Sequence, residues 1–222
     1  MTFKFNFKKL TVHLCVPLAF AILGYCILFL GANSTIKSLL GIWDIISSES
    51  DSTLTEADND IYTDKLFGMY EETIPSSVIT FPLMGTKYAE ISIESTALNC
   101  SVFFGDSPQI LRKGAGHYAG SSFAGFGSTV LISGHNNRYF DTLKDAQIGS
   151  IITLKTNYGI YTYRITHTAI KKNTDRTAYD LGAKKENIVL YTCYPFNTLG
   201  LTSQRYFVYG EYVSGPKVLV NE

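Results

Sequence analysis

The sequence predicts a mainly β fold, a closed barrel or sandwich with a few short helices, preceded by one N-terminal membrane-spanning helix. Three observations carry this. Between Val78 and Val213 the chain alternates apolar and polar residues in many short runs, separated by Gly, Asn, Asp and Pro clusters. Aromatic residues make up 14% of the chain, which suits a pleated, half-buried surface. Residues 10–31 form one apolar stretch without Lys, Arg, Asp or Glu.

That stretch comes first in the chain. At 1.5 Å per residue, roughly 20 residues cross a hydrocarbon core of about 30 Å, so it is long enough to span. It exceeds the roughly 7–15 apolar residues of a cleaved signal peptide. Gly31-Ala32 also offers a poor cleavage site, so the reading is an uncleaved signal anchor. Lys4, Lys8 and Lys9 precede it, which puts residues 1–9 in the cytoplasm and the rest of the chain outside the cell membrane. Residues 32–77 then divide in two. The segment 34–46 mixes Ile36, Leu39, Leu40, Ile42 and Trp43 with Lys37 and Asp44, as a short interfacial helix would. Residues 47–77 carry Glu49, Asp51, Glu56, Asp58, Asp60, Asp64, Glu71 and Glu72 against Lys65 alone, the composition of a solvated stalk.

The main domain is expected over 78–222. Strands are predicted at 89–95, 101–104, 129–133, 151–155, 160–166, 188–193 and 205–213, with short helices at 107–113 and 138–145. Such a strand count with so little helix implies a barrel or sandwich. The domain holds 14 lysines and arginines against 10 carboxylates, a net +4 that the acidic stalk hides within a formal net charge of zero. Nothing in that balance points to nucleic acid.

Three residues carry the chemistry. The run Asn187-Ile188-Val189-Leu190-Tyr191-Thr192-Cys193 ends in a thiol and is followed by the turn Tyr194-Pro195-Phe196-Asn197. Arg205 opens the next strand. If the two strands pair antiparallel, Cys193 and Arg205 share one rim. The run Thr129-Val130-Leu131-Ile132-Ser133 stops at Gly134-His135, and His135 joins them only if its strand runs parallel to the Cys193 strand. A thiolate is a competent nucleophile, an imidazole can move a proton to a leaving amine, and a guanidinium can hold an oxyanion. Each has a bland alternative. Cys193 could be a small buried hydrophobe or pair with Cys100, and Arg205 could form a rim salt bridge. His117, in Gly114-Ala115-Gly116-His117-Tyr118, competes with His135. His167 sits mid-strand.

The combination resembles the sortase family. Leu190-Tyr191-Thr192-Cys193 is similar to the Leu-x-Thr-Cys signature of sortases, followed by an arginine on the next strand. Gly134-His135 resembles the family's histidine motif, with Tyr139-Phe140-Asp141-Thr142-Leu143 and Ile148-Gly149-Ser150 similar to the segment after it. The segment 114–118 resembles a further sortase motif, which implies a structural role for His117. The resemblance covers residues 88–213, and Thr192 to Phe196 with Gly200 and Arg205 looks most like class D. Asn136 departs from the pattern, because a basic residue often follows the histidine there.

The resemblance implies an eight-stranded β-barrel and a cysteine transpeptidase. It would cleave a Leu-Pro-x-Thr-Gly-like sorting signal on secreted proteins through a thioacyl intermediate on Cys193, and transfer the acyl group to a cell-wall precursor amine. His135 would act as general acid and then base, and Arg205 would hold the oxyanion. No cofactor or metal is implied, and the domain's carboxylates form no dense cluster that would require calcium. The alternatives are a thiol hydrolase using water and a non-catalytic anchored binding module.

Overall fold

The computed structural model describes residues 15–28, 72–196, 198 and 202–220. The expected cytoplasmic residues 1–9, the interfacial helix at 34–46 and the stalk up to residue 71 lie outside them. Of the apolar stretch 10–31, residues 15–28 form a helix with exposed side chains. Among the described residues no helix is long and apolar enough to cross a membrane.

The described strands, in chain order, are β1 (Thr73–Pro75), β2 (Lys87–Ile93), β3 (Asn99–Phe104), β4 (Ala115–His117), β5 (Thr129–Ser133), β6 (Ile151–Thr156), β7 (Ile160–Lys172), β8 (Asn187–Tyr194), β9 (Gln204–Ser214) and β10 (Lys217–Leu219). Eight of them close a barrel in the order β2-β3-β4-β5-β8-β9-β7-β6, with β6 returning to β2. Alternation puts one row of each strand inside: Ile91 on β2, Val130 and Ile132 on β5, Ile188 and Leu190 on β8, and Val208 on β9 share one core. Every residue of β5 is buried, because its outer face is covered as well. There Leu131 packs with Val189, Phe207 and Ala178 of the β7–β8 loop. This is why β5 reads as a continuous apolar run rather than an alternating one.

Most expected strands occur within a residue or two of their expected limits. Three differences have physical causes. No strand is expected over 114–118, yet Ala115–His117 is a barrel strand, parallel to β3 and antiparallel to β5. Gly116 is required by close packing: a Cβ there would lie 2.6 Å from the Gly105 carbonyl oxygen. The crossover from β3 to β4 is the helix Pro108–Lys113, whose N-cap Ser107 accepts from the Ile110 N–H. Second, β7 runs on to Lys172 rather than stopping at Thr166, paired with β9 along a polar, solvent-facing extension. Third, the expected helix over 138–145 is a 3₁₀ turn at Asp141–Asp145, pinned by the fully buried Phe140 and Leu143.

The folded structure is already in place ahead of Val78. Ile74 of β1 is fully buried, and β1 pairs in parallel with β10. A single buried isoleucine in an acidic segment leaves no periodic signal. The Val218 N–H of β10 donates to the Gly125 carbonyl, which ties this small sheet to the loop before β5. Glu186, just before β8, closes that end of the barrel. Its carboxylate accepts from the Gly125 N–H at 2.9 Å, the Gly127 N–H at 3.1 Å and the Tyr163 hydroxyl at 2.8 Å. The C-terminal ends of β5 and β8 therefore emerge at the opposite end.

Candidate active site

Strand direction decides which side chains meet. β5 and β8 are parallel neighbours, with Ser133 opposite Tyr191. The Gly134 N–H donates to the Tyr191 carbonyl at 3.2 Å and carries the ladder one residue past β5. His135 thus leaves the sheet beside the end of β8. β8 and β9 are antiparallel neighbours, and Cys193 lies directly opposite Arg205. The parallel pairing that sequence could state only as a condition is present, and the three residues share one rim.

Cys193 and Arg205 share one face as well. Ile188, Leu190 and Thr192 of β8 are buried inside the barrel, so Val189, Tyr191 and Cys193 alternate to its outside. On β9 the outer row is Arg205, Phe207 and Tyr209, and on β7 His167 stands opposite Tyr209. The His167 and Tyr209 rings stack at 4.2 Å, and Tyr191 stacks on Phe207 at 5.6 Å. An aromatic floor therefore runs along the outer wall toward Cys193.

Cys193 is half-buried and unpaired. Cys100 is also unpaired and lies in the core on β3, which is not a neighbour of β8, so the pairing weighed from sequence does not form. Arg205 is half-buried, and its Nη1 donates to the Thr202 carbonyl at 2.8 Å, to Thr202 Oγ1 at 3.1 Å and to the Gln204 carbonyl at 2.9 Å. His135 is half-buried, and its pKa lies below the usual histidine value. Burial contributes most, followed by the Arg112 and Arg138 guanidinium groups. Arg112 comes from the last turn of the helix Pro108–Lys113, and Arg138 donates to the Arg112 carbonyl at 3.2 Å. Two cations therefore stand by the imidazole and favour its neutral form. Among the described residues no hydrogen bond joins the three side chains directly.

His117 is elsewhere and does different work. It is fully buried, with Nδ1 2.6 Å from the Tyr88 hydroxyl and Nε2 2.8 Å from Ser121 Oγ. Ser121 Oγ already donates to the Tyr118 carbonyl, so Nε2 carries the proton and Nδ1 accepts from Tyr88. Burial lowers the pKa of His117 to about 4. It is a neutral core histidine with both nitrogens satisfied.

Two further residues at the rim escaped the chemical reading. Thr192, 1% exposed, donates its hydroxyl to the Gly134 carbonyl at 2.7 Å. Asn136, 6% exposed, donates its amide nitrogen to the Pro195 carbonyl at 2.9 Å. These contacts span almost sixty positions in sequence, so no local pattern marks them.

A sequence model of the sortase domain matches residues 91–213, more than half of the chain. The chain belongs to the sortase family. Sortases are cysteine transpeptidases, and the rim described above lies within the matched segment. Sortase D of Bacillus subtilis (strain 168) is 35% identical over 104 residues, which cover 47% of this chain and 52% of that protein. The chain thus spans about half the length of the curated relative it matches, and that relative agrees with the class D resemblance. Among solved structures, a Clostridium perfringens Sortase D5 transpeptidase superposes with a TM-score of 0.54 at 20% identity, over 60% of this chain and 82% of that one. Sortase E from Streptomyces avermitilis gives a TM-score of 0.52 at 25% identity, over 60% and 91%. Matches of similar score come from several sortase classes, so they speak for the barrel rather than for a subclass.

Proposed function

We propose that this chain is a membrane-anchored cysteine transpeptidase that cleaves a Leu-Pro-x-Thr-Gly-like sorting signal on secreted proteins and passes the acyl group to a cell-wall precursor amine. The observation that carries the reading is the cross-strand pair Cys193–Arg205 with His135 on the adjoining strand end. Membrane lipid is met through residues 10–31, an uncharged apolar stretch whose described part is helical. The domain then works on the outer side of a Gram-positive cell membrane.

The chemistry follows from the three groups. Neutral His135 takes the proton of the Cys193 thiol, and the thiolate attacks the scissile carbonyl carbon. The carbonyl oxygen becomes an oxyanion, which Arg205 stabilises. The tetrahedral intermediate collapses as His135 protonates the departing amine, leaving a thioester on Cys193. An incoming amine attacks that carbonyl and gives its proton to His135, and Cys193 departs as thiolate. These steps need no cofactor.

The test is incubation of the full chain with a panel of sorting-signal peptides, with and without an amine acceptor, followed by mass spectrometry. Amide product that depends on the added amine is expected. Hydrolysed product at the same rate with and without amine would make the chain a thiol hydrolase, and absence of cleavage of every peptide would leave a binding module.

Arg205 gives a sharper test of the same site. One nitrogen of its fork already holds Thr202 and Gln204, so only an arginine can keep those contacts and still present donors to an oxyanion. Arg205→Lys is therefore expected to lose nearly as much acylation as Arg205→Ala, on the order of 10²- to 10³-fold. Near-wild-type acylation by Arg205→Lys would reduce the residue to a generic positive charge.

A further inference from the structure

We propose that Asn136 is a positioning residue that sets the Cys193–His135 geometry, an inference that rests on the functional reading above. The two residues stand on separate chain segments whose ends are free to part beyond the sheet ladder. Two side-chain hydrogen bonds prevent that. Thr192, just before the cysteine, donates to the carbonyl of Gly134, just before the histidine. Asn136, just after the histidine, donates to the carbonyl of Pro195, two residues after the cysteine. One strap precedes the pair on both segments and the other follows it, so Cys193 and His135 are bracketed between them.

The chemistry of the outer strap is specific. Pro195 has no N–H, so only its carbonyl can join the two loops, and it must meet a donor. The donor is buried, and burying an amide costs free energy unless it is bonded, so this contact is part of the fold rather than a surface accident. It is also uncharged. Arg112 and Arg138 already bias the imidazole toward its neutral form, and a lysine or arginine at position 136 would add a third cation beside it. An amide is thus the donor that holds the Cys193 loop without pushing the His135 titration further down.

The test uses the full chain with Asn136→Asp and Asn136→Ser. The first keeps the shape and sets a carboxylate oxygen against the Pro195 carbonyl; the second keeps a hydroxyl too short to reach it. Two quantities are read: peptide acylation, separated into kcat and KM, and the pH profile of Cys193 alkylation by iodoacetamide, with His135→Ala as reference. A misplacement of about 1 Å costs on the order of 10²-fold in rate, so kcat should fall about 10- to 100-fold with KM little changed. The alkylation profile should shift toward that of His135→Ala, because the thiol has lost its placed proton partner. The inference is overturned if a folded variant keeps the wild-type alkylation profile, or if kcat falls only in proportion to the folded fraction. The alkylation readout needs no peptide. A wild-type chain with a His135-dependent profile that cleaves nothing would sink the functional reading, while the variants' profiles still decide the role of Asn136.

Discussion

Cys193→Ala should abolish peptide cleavage, by on the order of 10⁴-fold or more, without unfolding the domain. The residue stands on the outer wall of β8 at a strand end, half-buried, and its sulfur is not part of the barrel core. Removing it therefore leaves the packing of Ile188, Leu190 and Thr192 intact while deleting the only thiol at the rim among the described residues. Cys100→Ala supplies the opposing case. That thiol is buried on β3, and burial pushes its pKa up to about 12, with the Ala115 backbone opposing and Glu90 adding slightly. A thiol held so firmly protonated is a poor nucleophile. Its loss should cost about 1 kcal/mol of stability through a small cavity and leave most activity in place. Circular dichroism, thermal melting and cleavage assays on both variants decide the matter. Equal loss of cleavage in the two would point to a packing defect and remove Cys193 as the nucleophile.

How much of this could be read from sequence depends on the range of the interaction. β5 and β8 were legible because each is an apolar run bounded by turn residues. The Cys193–Arg205 pairing followed from two strands joined by one loop, where antiparallel pairing is the simplest connection. His135 was legible only as a strand end. Nothing local says that β5 runs parallel beside β8, since that contact depends on the crossovers between them. β4 was hidden because Gly116 answers a close approach to the Gly105 carbonyl, whereas in sequence Gly114 and Gly116 together read as a turn. β1 escaped notice because one buried isoleucine sits in a segment that is acidic on average. The Thr192 and Asn136 straps are tertiary hydrogen bonds, and residue types alone do not announce them. The choice between His135 and His117 also needed tertiary structure, since both follow glycine and both precede a polar or aromatic residue.

That choice carries the second large effect. His135→Ala should lower acylation by roughly 10²-fold or more, the scale of general acid–base catalysis, with little change in melting temperature. Because burial, Arg112 and Arg138 lower its pKa, His135 is neutral at neutral pH and able to take the thiol proton. The acid decline in activity, as the imidazole becomes charged and can no longer act as base, should therefore come at a lower pH than an unperturbed histidine would give. In His135→Ala that acid limb should disappear. His117→Ala should behave in the opposite way. It leaves the Tyr88 hydroxyl and Ser121 without their partner inside the core, which should lower stability by about 1–3 kcal/mol and affect activity only through the folded fraction. Its own pH signature concerns folding. The folded pKa of His117 is about 4, below the ordinary value of 6.5, so the unfolded chain binds the proton more readily. The stability tied to neutral His117 is present in full above pH 6.5 and is lost as pH falls toward 4, to an extent on the order of 3 kcal/mol. Urea melts at a series of pH values should show that slope in wild type and lose it in His117→Ala. A His117→Ala protein that is fully folded yet inactive, beside an active His135→Ala protein, would reverse the two roles.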